Sequence, residues 1–196
     1  RLHVGSGCRR LEGWVNVDLL PALEVDLAVD VRDGLPFDEV EAVYAEHFLE
    51  HLTGLEGLAF LREAWRVLGP GAWLRLSTPN LDWVLAAHRG DGRSAAEKEL
   101  LDLGLNRSCY GWGHRFPWSG ALLVRALDAA GFVEVRWCPH GESDLEVFRG
   151  LERHDRCPDT PDLPHVLIVE ARKGEPQAER LNELEALFRQ ELERYL

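Results

Sequence analysis

Two short stretches of this chain combine residue types that could do chemistry. Gly5-Ser6-Gly7 follows the apolar run Leu2-His3-Val4, and a glycine pair after a strand lets backbone N–H groups approach a ligand at the carboxyl edge of a sheet. Eleven residues on, Asn16-Val17-Asp18 closes a second run with an acid, placed as the carboxylate that takes ribose hydroxyls in nucleotide folds. A dinucleotide fingerprint asks for a third glycine, where Arg9 or Arg10 stands, and for an acid about 20 residues on. Both requirements fail, which disfavours a nicotinamide dehydrogenase. His47-Phe48-Leu49-Glu50-His51 spells H-x-x-E-H, the pattern of inverted zinc proteases, in which histidines four apart share a helix face. That reading needs a helix and a third ligand.

These residues fall at the ends of elements. Strand-like runs at Leu2–Val4, Trp14–Val17, Val25–Val29, Val40–Ala45, Ala72–Leu76, Val133–Cys138 and Val166–Ala171 alternate with helical patterns, which points to a parallel sheet with helices on its faces. Leu55, Leu58, Leu61, Trp65 and Leu68 keep helix spacing over 55 to 68, and Gly69-Pro70-Gly71 stops that helix. Leu81–His88 and Ala95–Leu103 read as two more helices. Ser119 can cap another running to Ala130, with Gly131 as its C′ residue. Pro139 to Pro164 exceeds the ~12–15 residues at which structureless loops become uncommon, so it is either functional or disordered. Residues 179 to 196 place Leu181, Leu184, Phe188, Leu192 and Tyr195 on one stripe. That helix is expected to pack on its own domain, the alternative being a contact with a fused domain or a second copy. The organisation predicted is a domain over 1–174 and an amphipathic helix over 175–196.

Composition narrows the classes. The 196 residues hold 34 Asp and Glu against 22 Lys and Arg, a formal charge of −12, whose field repels phosphate backbones and anionic lipid surfaces. Nucleic acid is not an expected partner, and no apolar run approaches the ~18 residues of a membrane span. Cys8, Cys109, Cys138 and Cys157 form no C-x-x-C pair and read as free thiols in a reducing, cytoplasmic compartment. The chain contains no methionine, even at position 1, and is expected to be a segment of a longer polypeptide.

Five motifs occur in an order and spacing that resemble one family. They are Leu2-His3-Val4-Gly5-Ser6-Gly7; Gly13-Trp14-Val15-Asn16-Val17-Asp18; Asp30 with Gly34-Leu35-Pro36-Phe37; Glu46 through Leu52; and Arg66 through Gly71 with Leu74 through Asn80. The family is the class I S-adenosylmethionine-dependent methyltransferases, in the bacterial branch similar to the type-11 methyltransferase domain with a shortened first helix. The resemblance covers residues 2 to 80 and continues through Gly113-His114-Arg115-Phe116, Ala130-Gly131-Phe132, Gly141-Glu142-Ser143 and Arg149 through His154. It implies an α/β fold, a three-layer Rossmann-like sandwich whose mostly parallel sheet ends in an antiparallel strand. It also implies S-adenosylmethionine as cofactor and S-adenosylhomocysteine as product. By this resemblance Gly5, Ser6 and Gly7 cradle the methionine part, Asp18 takes the ribose hydroxyls, and Asp30 with the backbone of Val31 meets the adenine edge. Glu46 and His47 lie beside the sulfonium. The H-x-x-E-H residues occur in this family just after the fourth strand, so no metal is assigned to them, and His51 is expected to pack or cap a helix. His3 stands where many methyltransferases carry an acid, and Arg9 where a third glycine is common.

Methyl transfer from a sulfonium is an in-line displacement that holds the nucleophile near ~3–3.5 Å and, for a hydroxyl, removes a proton. His47 and His114 are the candidate bases, because imidazole titrates near neutrality; a structural histidine is the alternative for each. Trp112, in the aromatic segment 109–118, and the neighbouring Arg115 are candidates for the acceptor side. Glu142, Arg149, Glu152 and His154, in the long charged loop, are candidates for polar contacts to substrate. The function expected is methyl transfer to a small-molecule or glycan-type acceptor, O-methylation ahead of N-methylation. The alternative is a non-catalytic methyltransferase-like module of a larger polypeptide.

Overall fold

Alternation along the strands decides which sheet face each side chain meets. The computed structural model describes residues 1–20, 24–89, 94–154, 162–192 and 194. Its strands are β1 (Leu2–Val4), β2 (Val15–Asp18), β3 (Leu27–Ala28), β4 (Val40–Glu46), β5 (Leu68–Pro79), β6 (Phe132–Trp137) and β7 (Val166–Lys173). They form one sheet in the order β3-β2-β1-β4-β5-β7-β6. The pairs from β3 through β5 are parallel, and β7 inserts antiparallel between β5 and β6. The α/β, mostly parallel sheet expected from the sequence is the one observed.

The helices are α1 (Gly54–Val67), α2 (Leu81–Ala87), α3 (Ala95–Tyr110), α4 (Gly120–Ala129) and α5 (Ala178–Leu192). Val4, Val43, Leu74, Leu76 and Val169 face α1, α4 and α5 in the main core. Thr53 starts α1 with a reciprocal capping box to Glu56, and Ser119 caps α4 by accepting from the Leu122 N–H. Gly131 follows α4 at φ 96°, a left-handed conformation that its position after the helix requires. Phe188 on α5 packs against Phe116 and Trp118, joining α5 to the segment that carries His114.

Among the described residues no α-helix covers the opposite face. Trp14, Tyr44 and Phe148 stack there, with Leu145 and Leu151 beside them. The residues 139 to 154 of the long loop are therefore ordered as a covering layer. Their anchor is ionic: Arg75, fully buried on β5, pairs with Glu152 at 2.6 Å and Glu170 at 2.5 Å.

Several boundaries differ from expectation. The third strand shrinks from Val25–Val29 to two residues, and α3 runs seven residues beyond Leu103. Gly69-Pro70-Gly71 ends α1 but lies within β5, where it bulges out between the pairs Val40–Leu68 and Ala42–Trp73. Among the described residues no α-helix joins β1 to β2, β2 to β3 or β3 to β4. Cys8, Cys109 and Cys138 are free, while Cys157 and Tyr195 lie outside the described residues. No described helix is long and apolar enough to cross a membrane.

Candidate functional site

A cavity of about 580 Å³ opens at the carboxyl ends of the parallel strands. Its walls are the turns that leave them: Gly5 and Gly7 after β1, Asp18 to Leu20 after β2, Val29 to Arg32 after β3, and His47, Phe48, His51 and Leu52 after β4. Arg115 enters from the connection between α3 and α4. This is the crevice at the topological switch point, where open parallel sheets bind ligands.

The first turn is shaped by glycine at two positions. Gly5 (φ 66°) lies so close to Phe48 that a Cβ would sit 2.3 Å from the ring. Gly7 (φ 56°) has nothing within 4 Å of its Cβ direction, so the turn leaves open space there. The Ser6 N–H donates to the Val17 carbonyl at 3.1 Å, and the Gly7 N–H donates to Asp18 Oδ2 at 2.9 Å. Ser6 is buried, and its hydroxyl has no hydrogen-bond partner among the described residues. Asp18 Oδ1 accepts from the Leu20 N–H at 3.2 Å; each carboxylate oxygen retains a second lone pair. Leu19 and Leu20 are 53% and 56% exposed, bare apolar surface on the cavity wall.

Asp30 starts the short turn Val31–Asp33 by accepting from the Arg32 N–H. The Arg32 guanidinium and that N–H hold the Asp30 carboxyl at about 2. Val31 presents an apolar side chain to the cavity.

His47 sits at φ 48°, a conformation uncommon for a non-glycine residue and one that the surroundings must enforce. Its N–H donates to the Ser77 carbonyl at 2.9 Å, and its Nδ1 donates to Glu50 Oε1 at 2.9 Å. Burial acts to lower the His47 pKa, but the Glu50 hydrogen bond and the charges of Glu50 and Glu46 outweigh it and raise it above the ordinary value. Glu50 is 1% exposed; its Oε2 accepts from the Thr78 hydroxyl, and its backbone carbonyl accepts from the N–H groups of Arg115 and Phe116. Glu50 thereby fixes His47 and brings the segment of His114 to the cavity rim. The turn at Leu49–His51 is a single 3₁₀ turn, so the helix face that the H-x-x-E-H zinc pattern requires does not form.

No protein-family model and no curated protein sequence matches this chain. Solved structures match its fold. An S-adenosylmethionine-dependent methyltransferase from Archaeoglobus fulgidus is 15% identical with a TM-score of 0.54, the match covering 88% of this chain and 85% of that one. One from Mesorhizobium loti is 16% identical with a TM-score of 0.55, covering 88% and 90%. A Thermotoga maritima protein described as a possible histamine N-methyltransferase is 14% identical with a TM-score of 0.52, covering 88% and 81%. The fold is that of the class I S-adenosylmethionine-dependent methyltransferases.

Within this methyltransferase fold, Gly5, Gly7, Asp18, Asp30, Val31, His47 and Arg115 come together around the cavity. Glu46 does not line it among the described residues. Its Oε2 accepts from Arg9 and Tyr44, and its Oε1 from the N–H groups of Arg153 and His154 and from His154 Nδ1. Glu46 therefore ties the covering loop to β4. Glu152 is likewise directed away from an acceptor by its buried pair with Arg75 and the Gly141 N–H. Arg149 donates to the carbonyls of Ser143 and Asp144, and the Glu142 carbonyl accepts from Arg75. His154 touches the site edge-on through His47, with ring centroids 5.1 Å apart. Trp112 is largely exposed beside His114, whose Nδ1 donates to the Ser108 carbonyl. His51, expected to pack or cap a helix, lines the cavity and donates Nδ1 to the Gly113 carbonyl. The residues sequence reading missed are Glu50, Thr78, Phe48 and the pair Leu19-Leu20. The signal available for the leucines was an apolar pair directly after a strand-ending acid.

Proposed function

We propose that the protein is an S-adenosylmethionine-dependent methyltransferase acting on a small-molecule or glycan-type acceptor, O-methylation ahead of N-methylation. The observation that carries this reading is the cavity, whose chemistry suits the cofactor part by part. The open side of Gly7 suits its amino-acid end, while Ser6, buried behind the turn, does not line the cavity. The spare lone pairs of Asp18 suit two ribose hydroxyls, and Val29, Val31, Leu19 and Leu20 suit an adenine ring. When bound, S-adenosylmethionine supplies an electrophilic methyl group on a sulfonium.

The chain itself orients and deprotonates. His47 donates Nδ1–H to Glu50, so its Nε2 keeps the lone pair that takes the acceptor's proton. Glu50, itself fixed by Thr78, holds the ring in that orientation. Arg115, on the cavity wall, and Trp112, beside His114, are the residues assigned to the acceptor, with His114 as the second candidate base. A hydroxyl acceptor makes the fullest use of this arrangement, because it must lose its proton as the bond to the methyl forms.

The test is calorimetric titration with S-adenosylhomocysteine, followed by methyl transfer from S-adenosylmethionine across a panel of hydroxyl and amine acceptors. His47→Ala is expected to retain product binding and to lower transfer by about 10²-fold or more, the usual contribution of a positioned base. Equal rates for His47→Ala and the unmodified protein would remove His47 from the reaction. A second reading, a cofactor-binding module without activity, is favoured by His3, which is buried on Asn16 and offers no carboxylate to the cofactor's amino group. Product binding with no transfer anywhere in the panel would select it.

A further inference from the structure

Glu50, which orients His47, also meets His51 and His114 beside the cavity, and proton removal by His47 requires neither of these two histidines. One ligand atom from each lies within 4.8 Å of the others. Hydrogen bonding decides which ring nitrogens are available. His114 Nδ1 lies 3.0 Å from the Ser108 carbonyl, and His51 Nδ1 lies 3.3 Å from the Gly113 carbonyl. A carbonyl oxygen only accepts, so each Nδ1 carries a proton and each neutral imidazole keeps its lone pair at Nε2. His114 Nε2 then faces Glu50 Oε1 at 4.0 Å, with the glutamate side chain 1% exposed. With His114 neutral, its Nε2 and Glu50 Oε1 are two electron-rich atoms facing each other, and a cation between them would relieve that opposition.

The geometry points to a divalent metal site of the zinc type, with Glu50, His51 and His114 as its three protein ligands. Two imidazoles and one carboxylate form a known catalytic zinc set, which leaves a fourth position open. Bonds of about 2.0–2.2 Å put tetrahedral ligands roughly 3.4 Å apart, so each side chain here needs to close by less than about 1 Å. The outer partners already stand in place: carbonyls on both Nδ1 atoms, the Thr78 hydroxyl on Glu50 Oε2 and His47 on Glu50 Oε1. Such partners orient metal ligands and raise their basicity. The ligands are not the i and i+4 histidines of a helical H-x-x-E-H; the third comes from His114, far along the chain. His51 lines the cavity, so an open coordination position borders it. An acceptor oxygen bound there would lose its proton more readily. That consequence rests on the methyltransferase reading; the metal site does not.

The experiment strips the protein with a chelator, removes the chelator and titrates Zn²⁺ alone, without cofactor, against a chromophoric competitor. Co²⁺ is titrated in parallel. One Zn²⁺ per chain is expected, and Co²⁺ should develop the visible d–d absorption of a low-coordinate nitrogen and oxygen site. His51→Ala and His114→Ala should each weaken Zn²⁺ binding by more than the ~10–100-fold that losing an outer partner costs. His88→Ala, at the end of α2, should leave it unchanged. Should an alanine variant fail to fold by circular dichroism, the glutamine variant replaces it, and the Co²⁺ spectrum of the unmodified protein stands alone. No metal uptake, or uptake equal in the folded His51 and His114 variants, would overturn the site. A separate titration with S-adenosylhomocysteine in chelator distinguishes the failures, since metal uptake without product binding would sink only the methyltransferase reading.

Discussion

Asp18 and Glu46 are both acids at strand ends, and their surroundings give them opposite uses. Asp18 accepts from the Gly7 N–H of the turn after β1 on one oxygen and from the Leu20 N–H of its own turn on the other, and keeps a second lone pair on each. Asp18→Ala is expected to weaken S-adenosylhomocysteine binding by about 1.5–3 kcal/mol, the range for hydrogen bonds to a charged group, as read by titration. An unchanged dissociation constant would show that the carboxylate makes no contact. Glu46 is enclosed by donors. Burial acts to raise its pKa, but His154 and the N–H groups of Arg153 and His154 outweigh it and hold the carboxyl at about 2, below its ordinary 4.5. A depressed folded-state pKa contributes stability that is present above pH 4.5 and lost as pH falls toward 2. Glu46→Gln should therefore cost about 2 kcal/mol near pH 7 and much less near pH 3, measured by urea unfolding. An equal cost at both would assign the effect to packing. Asp18 and the glycine turn were legible because the chemistry of a turn is local. The role of Glu46 was not, because its partner His154 lies 108 residues away and nothing in either segment names the other.

Among elements, the unusual layer is the cover over Trp14 and Tyr44, which among the described residues contains one 3₁₀ turn, Glu146–Phe148, and no α-helix. Apolar residues Leu145, Phe148 and Leu151 seat it, and the buried Arg75 holds it to β5 through Glu152 and Glu170. Arg75→Ala would leave two buried carboxylates without that partner. The expected loss is about 3–5 kcal/mol, measured by chemical denaturation; a loss below about 1 kcal/mol would show that the cover is not held this way. The strand and helix alternation was readable because burial on one face imposes periodicity. The cover was not, since Leu145, Val147, Phe148 and Leu151 make too short a run among many charges to stand out as an element, and its ionic anchor joins positions on different elements. A glycine pair around proline can bulge a strand as well as end a helix, and Gly69-Pro70-Gly71 does both.

In the molecule as a whole, no crossover helix among the described residues covers the cavity, which is framed by turns and by Arg115, paired with Glu56 at 2.9 Å. Arg149 is engaged elsewhere, on the carbonyls of Ser143 and Asp144. The net charge of −12 thus stands with only Arg32 and Arg115 as cations on the described cavity wall. This distribution favours a neutral or cationic acceptor over a polyanion. The central claim is that the turns after β1, β2 and β3 bind S-adenosylmethionine and its product. Calorimetric titration of the purified chain with S-adenosylhomocysteine tests it most directly. One site per chain is expected, weakened about 10–160-fold in Asp18→Ala, the equivalent of about 1.5–3 kcal/mol. Absence of binding to both S-adenosylhomocysteine and S-adenosylmethionine, by a chain shown to be folded, would contradict it.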